Sequence, residues 1–235
     1  MKAAGIAAGI PLLALFAGAA SADWSGTGKL GGVVTRGNSE TETLSALVDV
    51  SNVLEQWTYK FGGTILHTVT DNVTSADRWE LRAETNYSFT ERAFSFGTVR
   101  YENDSFTDYA YQATGAAGYG YRFIMTGATK LEAQLGVGAR RAEIRITDVV
   151  EEDAILRGAM TYEHSLTPTT RIYDRFLVES GSDNTFMQNQ IGFEIKINSR
   201  FAFGLDYTVR RNSDVLPGTR NSDQIFTTNL VYGFL

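Results

Sequence analysis

From Trp24 to Phe234 apolar and polar residues alternate with a period of two, the spacing of a half-buried strand rather than a helix. The segment 79–89 shows it best: Trp79, Leu81, Ala83, Thr85, Tyr87 and Phe89 alternate with Glu80, Arg82, Glu84, Asn86 and Ser88. Tyr109 to Phe123, Lys130 to Arg140 and Phe201 to Val209 repeat the pattern. Successive side chains of a strand point to opposite faces, so each segment has one oily and one polar side. The pattern predicts twelve strands, near 24–35, 41–53, 57–69, 77–89, 93–102, 109–123, 129–140, 154–166, 169–180, 186–197, 200–211 and 224–234. In two of them the alternation blurs. Residues 93–102 change phase between Phe96 and Val99, as a bulge would require, and 169–180 place Asp174 in line with Ile172, Phe176 and Val178.

The connections narrow the architecture. Those after the even strands are short, as at Leu54-Glu55-Gln56, Thr167-Pro168 and Asn198-Ser199, whereas those after the odd strands culminate in 141–153 and 212–223. Proline sits only at 11, 168 and 217, outside every predicted strand. Sandwich strands average about 5–6 residues and have no reason to sort their loops by length. The expected fold is therefore all-β, a transmembrane antiparallel up-and-down barrel of twelve strands, closed because lipid tolerates no open sheet edge. With both termini periplasmic, the short turns face the periplasm and the long loops face outward.

Aromatic residues then gather at two heights of the oily face. Trp57, Tyr59, Tyr87, Phe89, Phe94, Tyr119, Tyr121, Phe123, Phe201, Phe203, Tyr232 and Phe234 form an expected periplasmic girdle, and Trp79, Tyr109, Tyr111 and Phe226 an outer one. The opposite face gives the expected lumen lining: Lys60, Arg78, Glu80, Arg82, Glu84, Arg122, Lys130, Glu132, Arg157, Glu163, Glu194, Lys196, Asp206 and Arg210. Mixed signs there suit either a small aqueous pore or charges that pair across the lumen and close it. Alternate glycines at Gly118, Gly120, Gly136 and Gly138 remove bulk from that side.

Composition changes the picture in four places. Met1-Lys2, an apolar run to Ala19 and the end Ala20-Ser21-Ala22 have the three parts of a secretory signal, so residues 1–22 are read as a cleaved peptide and 23–235 as the barrel. The 235 residues include no cysteine, which excludes disulfides and thiolate-bound metals. A net charge of −6 lacks the basic footprint of a nucleic-acid binder. The mean hydropathy of −0.16 resembles a soluble protein, yet strands with one oily and one polar side average to this value. The two histidines, His67 and His164, fall at opposite ends of the oily face and cannot share a catalytic site. No catalytic residue, cofactor or metal is expected; acidic loop residues such as Glu151, Glu152 and Asp153 read as solvated charge.

Thr35-Arg36-Gly37-Asn38-Ser39 followed by Leu44-Ser45-Ala46 resembles the N-terminal signature of the YdiY-like proteins, bacterial proteins of unknown function described as salt-induced outer membrane proteins. Asn86 to Arg92, Gly115 to Phe123, Gly136-Val137-Gly138 and the closing Asn229 to Phe234 are similar to further blocks of that family, in order. Leu235 departs from the terminal Phe usual in such barrels. The resemblance implies a barrel in the outer membrane of a Gram-negative bacterium, inserted by assembly machinery that reads the last strand. Expected partners are outer-membrane lipid and lipopolysaccharide, with the protein a monomer. The expected role is a narrow pore or a structural, stress-linked envelope component. The alternatives are a binding module using the loops 141–153 and 212–223, or a bilayer-facing hydrolase.

Overall fold

The computed structural model describes residues 24–35, 41–71, 73–105, 107–215 and 220–234. The leader 1–22, the signature residues 36–39, Pro217 and Leu235 lie outside the described residues. Twelve strands follow one another in the chain: β1 (Trp24–Thr35), β2 (Thr41–Leu54), β3 (Trp57–Thr70), β4 (Val73–Ser88), β5 (Ala93–Asp104), β6 (Tyr109–Met125), β7 (Thr129–Ile144), β8 (Val150–Ser165), β9 (Thr170–Ser180), β10 (Thr185–Lys196), β11 (Phe201–Asn212) and β12 (Ser222–Phe234). Each pairs antiparallel with its sequence neighbours, and β1 pairs with β12 to close the barrel. Closure gives every strand two partners, the condition a sheet must meet in lipid. No helix occurs among the described residues.

The turns after the even strands, on the side expected to face the periplasm and called periplasmic below, are tight. β2 and β3 are joined by Glu55-Gln56 alone, with Glu55 in the left-handed region at φ 53°. On the other side the expected long loop 141–153 is mostly strand: β7 runs on to Ile144 and β8 starts at Val150, leaving 145–149 around Asp148 at φ 53°. Polar residues there satisfy the ladder as well as apolar ones once the strand has left the oily zone, so the sequence reads as a loop. The asymmetry survives as strand length, with 17 residues in β6 and 16 in each of β4, β7 and β8.

The packing is inverted relative to a soluble protein. On the outside Tyr119, Val137 and Leu135 are 71%, 68% and 63% exposed, while inside Glu102 and Glu179 are each 2% exposed. A surface this apolar belongs against lipid. Ring contacts tie the periplasmic girdle together: Trp57 to Tyr87 at 4.9 Å, Tyr87 to Phe89 at 5.4 Å, Tyr121 to Phe123 at 5.1 Å and Phe201 to Tyr232 at 5.2 Å. The outer girdle stacks Trp79 on Tyr101 at 5.3 Å and Tyr101 on Tyr111 at 5.7 Å.

Three expectations are corrected. Register shifts at Tyr109/Tyr111 turn Tyr109 inward opposite Ile144, where it is buried at the outer mouth instead of joining the girdle. Phe94 is also interior, pairing with Gly120 on the inner face. Finally, 93–102 contains no bulge: β5 keeps one register from Phe94 to Asp104, and its apparent phase change arises because Phe94 and Phe96 fill the lumen while Val99 and Tyr101 face out.

Candidate functional site: the barrel interior

Strand register puts every residue expected on the lumen side on the inner wall, with Lys130 and Lys196 exposed at the periplasmic rim. The most buried part is built by residues of the two blurred strands and their neighbours. On β5, Arg100 and Glu102 point inward two residues apart, 3.0 Å from each other. Arg100 also pairs with Glu179 of β9 and reaches within 3.8 Å of Glu80 on β4. Across the lumen Arg210 of β11 binds Glu102 and lies 3.5 Å from Asp104, which Arg78 approaches at 3.9 Å. The Phe186 ring packs against both guanidiniums, 4.7 Å from Arg100 and 5.0 Å from Arg210. Charge-assisted bonds and cation–π contact here replace the hydration these groups lose.

Nearer the periplasm a second cluster forms around Lys29 of β1. Its ammonium lies 2.8 Å from Glu194 and 3.2 Å from Asp206, and donates to the Tyr173 hydroxyl. That hydroxyl in turn donates to Asp206, as does the Asn229 amide at 2.9 Å. Arg171 holds Glu194 from the other side at 2.6 Å. The Tyr173 ring lies over Gly192 of the adjacent strand β10, whose missing Cβ would lie 2.0 Å from the ring. Phe94 uses Gly120 in the same way, at 2.1 Å, under the Arg122 guanidinium. Small inner-wall residues thus make room for rings that fill the lumen.

Towards β4 the pairing continues. Arg82 binds Glu80 at 3.0 Å and also Asp49, Lys60 binds Glu84 at 3.0 Å, Arg122 meets Glu132 at 3.3 Å, and Arg157 reaches Gln134 at 2.8 Å. A cavity opens at each mouth. The periplasmic one, about 340 Å³, is lined by Lys130, Glu163, Arg171, Glu194, Lys196 and Arg200 among others. The outer one, about 240 Å³, is lined by Thr107, Asp108, Tyr109, Arg210, Asp214, Arg220 and Asp223 among others. Arg210 floors the outer vestibule and Glu194 the periplasmic one, so the paired charges form the wall between them.

Sequence reasoning missed Lys29, Asp49, Arg100, Glu102, Tyr173, Glu179 and Phe186. The signal was present for Arg100 and Glu102, which alternate with Val99 and Tyr101 once Phe94 and Phe96 are allowed inside. The histidines lie apart: His67 is 3.7 Å from Asp77 at the outer end of β3, and His164 contacts Thr129 at 2.8 Å at the periplasmic end of β8.

No protein of curated function matches the chain. Among solved structures the chain is similar to an outer membrane channel from Pseudomonas putida F1 (TM-score 0.51, 10% identity, 92% of this chain and 96% of that one). It is also similar to the KdgM porin (0.50, 9%, 90% and 99%) and the NanC porin (0.50, 9%, 88% and 97%). At these identities the likeness concerns the fold alone. A family model described as "Protein of unknown function, DUF481" matches residues 28–234, so the chain belongs to that family, the YdiY-like proteins of unknown function.

Proposed function

We propose that the chain is an outer-membrane channel of small conductance, exported through the periplasm and closed at rest by its own paired charges. One observation carries the reading: a vestibule opens at each mouth, and among the described residues the two are separated by side-chain ion pairs. Arg100 has three carboxylates within reach and Arg210 has two, so partners can be traded without leaving a charge bare. A lumen so lined favours small polar or ionic solutes over apolar ones.

The test is single-channel recording of refolded protein in a planar bilayer. Wild type is expected to give small, brief openings, and Phe186→Ala, which removes the ring packed against both guanidiniums, larger and longer ones. Silence in both proteins, with the heat-modifiable gel migration of a folded barrel intact, would leave a structural envelope role in place of the channel.

A further inference from the structure

On the outer wall, polar side chains interrupt the apolar face across β8 to β12. Asp174 shares its face with Ile172, Phe176 and Val178, and pairs with Tyr162 on β8 and Ile191 on β10, both outward residues. Its carboxylate therefore points away from the lumen, four residues from the periplasmic end of β9. Asn189, outward on β10, donates its side-chain amide to Asp174 at 2.6 Å. On the next two strands the Tyr207 hydroxyl donates to Gln224 at 2.9 Å, again on the outer face. Tyr162, Asp174, Asn189, Tyr207 and Gln224 thus make an oblique polar stripe across the wall.

A carboxylate facing hydrocarbon is unfavourable, and intramembrane polar side chains are retained where a partner satisfies them. A carboxylate has room for several donors, and a carboxamide carries a second N–H, so the Asp174–Asn189 pair presents both an acceptor and a donor outward. Such a patch is self-complementary. Two barrels in the same orientation, related by a twofold axis along the membrane normal, can set Asp174 of each against Asn189 of the other.

We propose that the β8–β12 wall is the surface on which two copies of this chain associate in the membrane, with Asp174 and Asn189 at its centre. This departs from the monomer expected from sequence and does not depend on whether the lumen conducts. An anionic lipid is the wrong complement for a carboxylate, and lipid tails offer neither donor nor acceptor.

The chain contains no cysteine, so single-cysteine variants report self-contact directly. Full-length Ile191→Cys, beside the patch, and Leu81→Cys, on β4 across the barrel, are each treated with a short bis-maleimide in outer-membrane vesicles. Ile191→Cys is expected to give a product of twice the monomer mass and Leu81→Cys little. Adding Asp174→Leu and Asn189→Leu to Ile191→Cys is expected to lower that yield about tenfold, equivalent to about 1.4 kcal/mol. Heat-modifiable migration should persist, because both replacements suit lipid. Equal yields from the two cysteine positions, an undiminished yield in the apolar variant, or a product whose mass requires a different protein would each overturn the proposal.

Discussion

The charges inside this barrel act as a group because each is shared. Glu102 accepts from Arg100 and Arg210 while 2% exposed, so neither guanidinium depends on bulk water at that point. Removing one member of a buried pair exposes the rest to an uncompensated desolvation penalty of about 3–5 kcal/mol. Glu102→Leu is therefore expected to lower stability by roughly that amount, read from urea unfolding in lipid vesicles. Adding Arg210→Met should recover part of the loss, since it removes a stranded cation; two losses that simply add would mean that the residues do not act as a pair. Tyr173 is held differently, by shape as well as by Lys29 and Asp206. With its ring packed over Gly192 and 1% exposed, even one added methyl forces a fully enclosed side chain to move. Gly192→Ala is expected to cost about 1–3 kcal/mol in the same unfolding measurement. Gly28→Ala on the outer face, where an added Cβ meets nothing within 4 Å, should cost far less.

Among the strands, β1 and β12 carry the one pairing that joins distant parts of the chain, and their matched register runs only from Gly26 to Gly32. It is locked by Phe234, whose ring lies where a Cβ on Gly26 would be, 2.3 Å away. Closure thus depends on a glycine and an aromatic residue 208 positions apart, a long loop to order before the contact is made. Gly26→Val and Phe234→Ala are each expected to reduce the fraction that migrates as folded barrel on unheated gels. Gly28→Val, opposite Tyr232 on the same seam, is the control and should assemble normally. Strand number and nearly all strand bounds were legible in the sequence because lipid on one side and water on the other impose a clean alternation. Legibility failed where that premise failed. On β5 and β9 the lumen is filled by Phe94, Phe96 and Tyr173, so apolar residues appear on the polar face, and Asp174 puts a carboxylate on the oily one. At Tyr109 a single shifted residue moves the ring to the other face, which periodicity alone does not reveal. The strands hardest to read are the ones that carry the interior cluster and the outer stripe.

Across the whole molecule the two mouths differ in sign. The periplasmic vestibule carries Lys130, Arg171, Lys196 and Arg200 against Glu163 and Glu194; the outer one carries Asp108, Asp214 and Asp223 against Arg210 and Arg220. A mean hydropathy of −0.16 hides this arrangement as thoroughly as it hides the oily belt, because both are averaged over the chain. Fixed charges at a narrow mouth raise the local concentration of counter-ions over about one Debye length, about 10 Å at 0.1 M salt and 3 Å at 1 M. An opened channel should therefore pass current more easily in one direction than the other. In the Phe186→Ala protein, inserted in one orientation, the ratio of currents at opposite voltages is expected to depart from one at 0.1 M salt and approach it at 1 M. Lys130→Glu with Lys196→Glu, both at the exposed rim and outside the buried clusters, should reverse the sense of the asymmetry at low salt while leaving the folded barrel intact. A rectification unchanged by salt and by these replacements would mean that the buried ion pairs, and not the charges at the mouths, govern what enters.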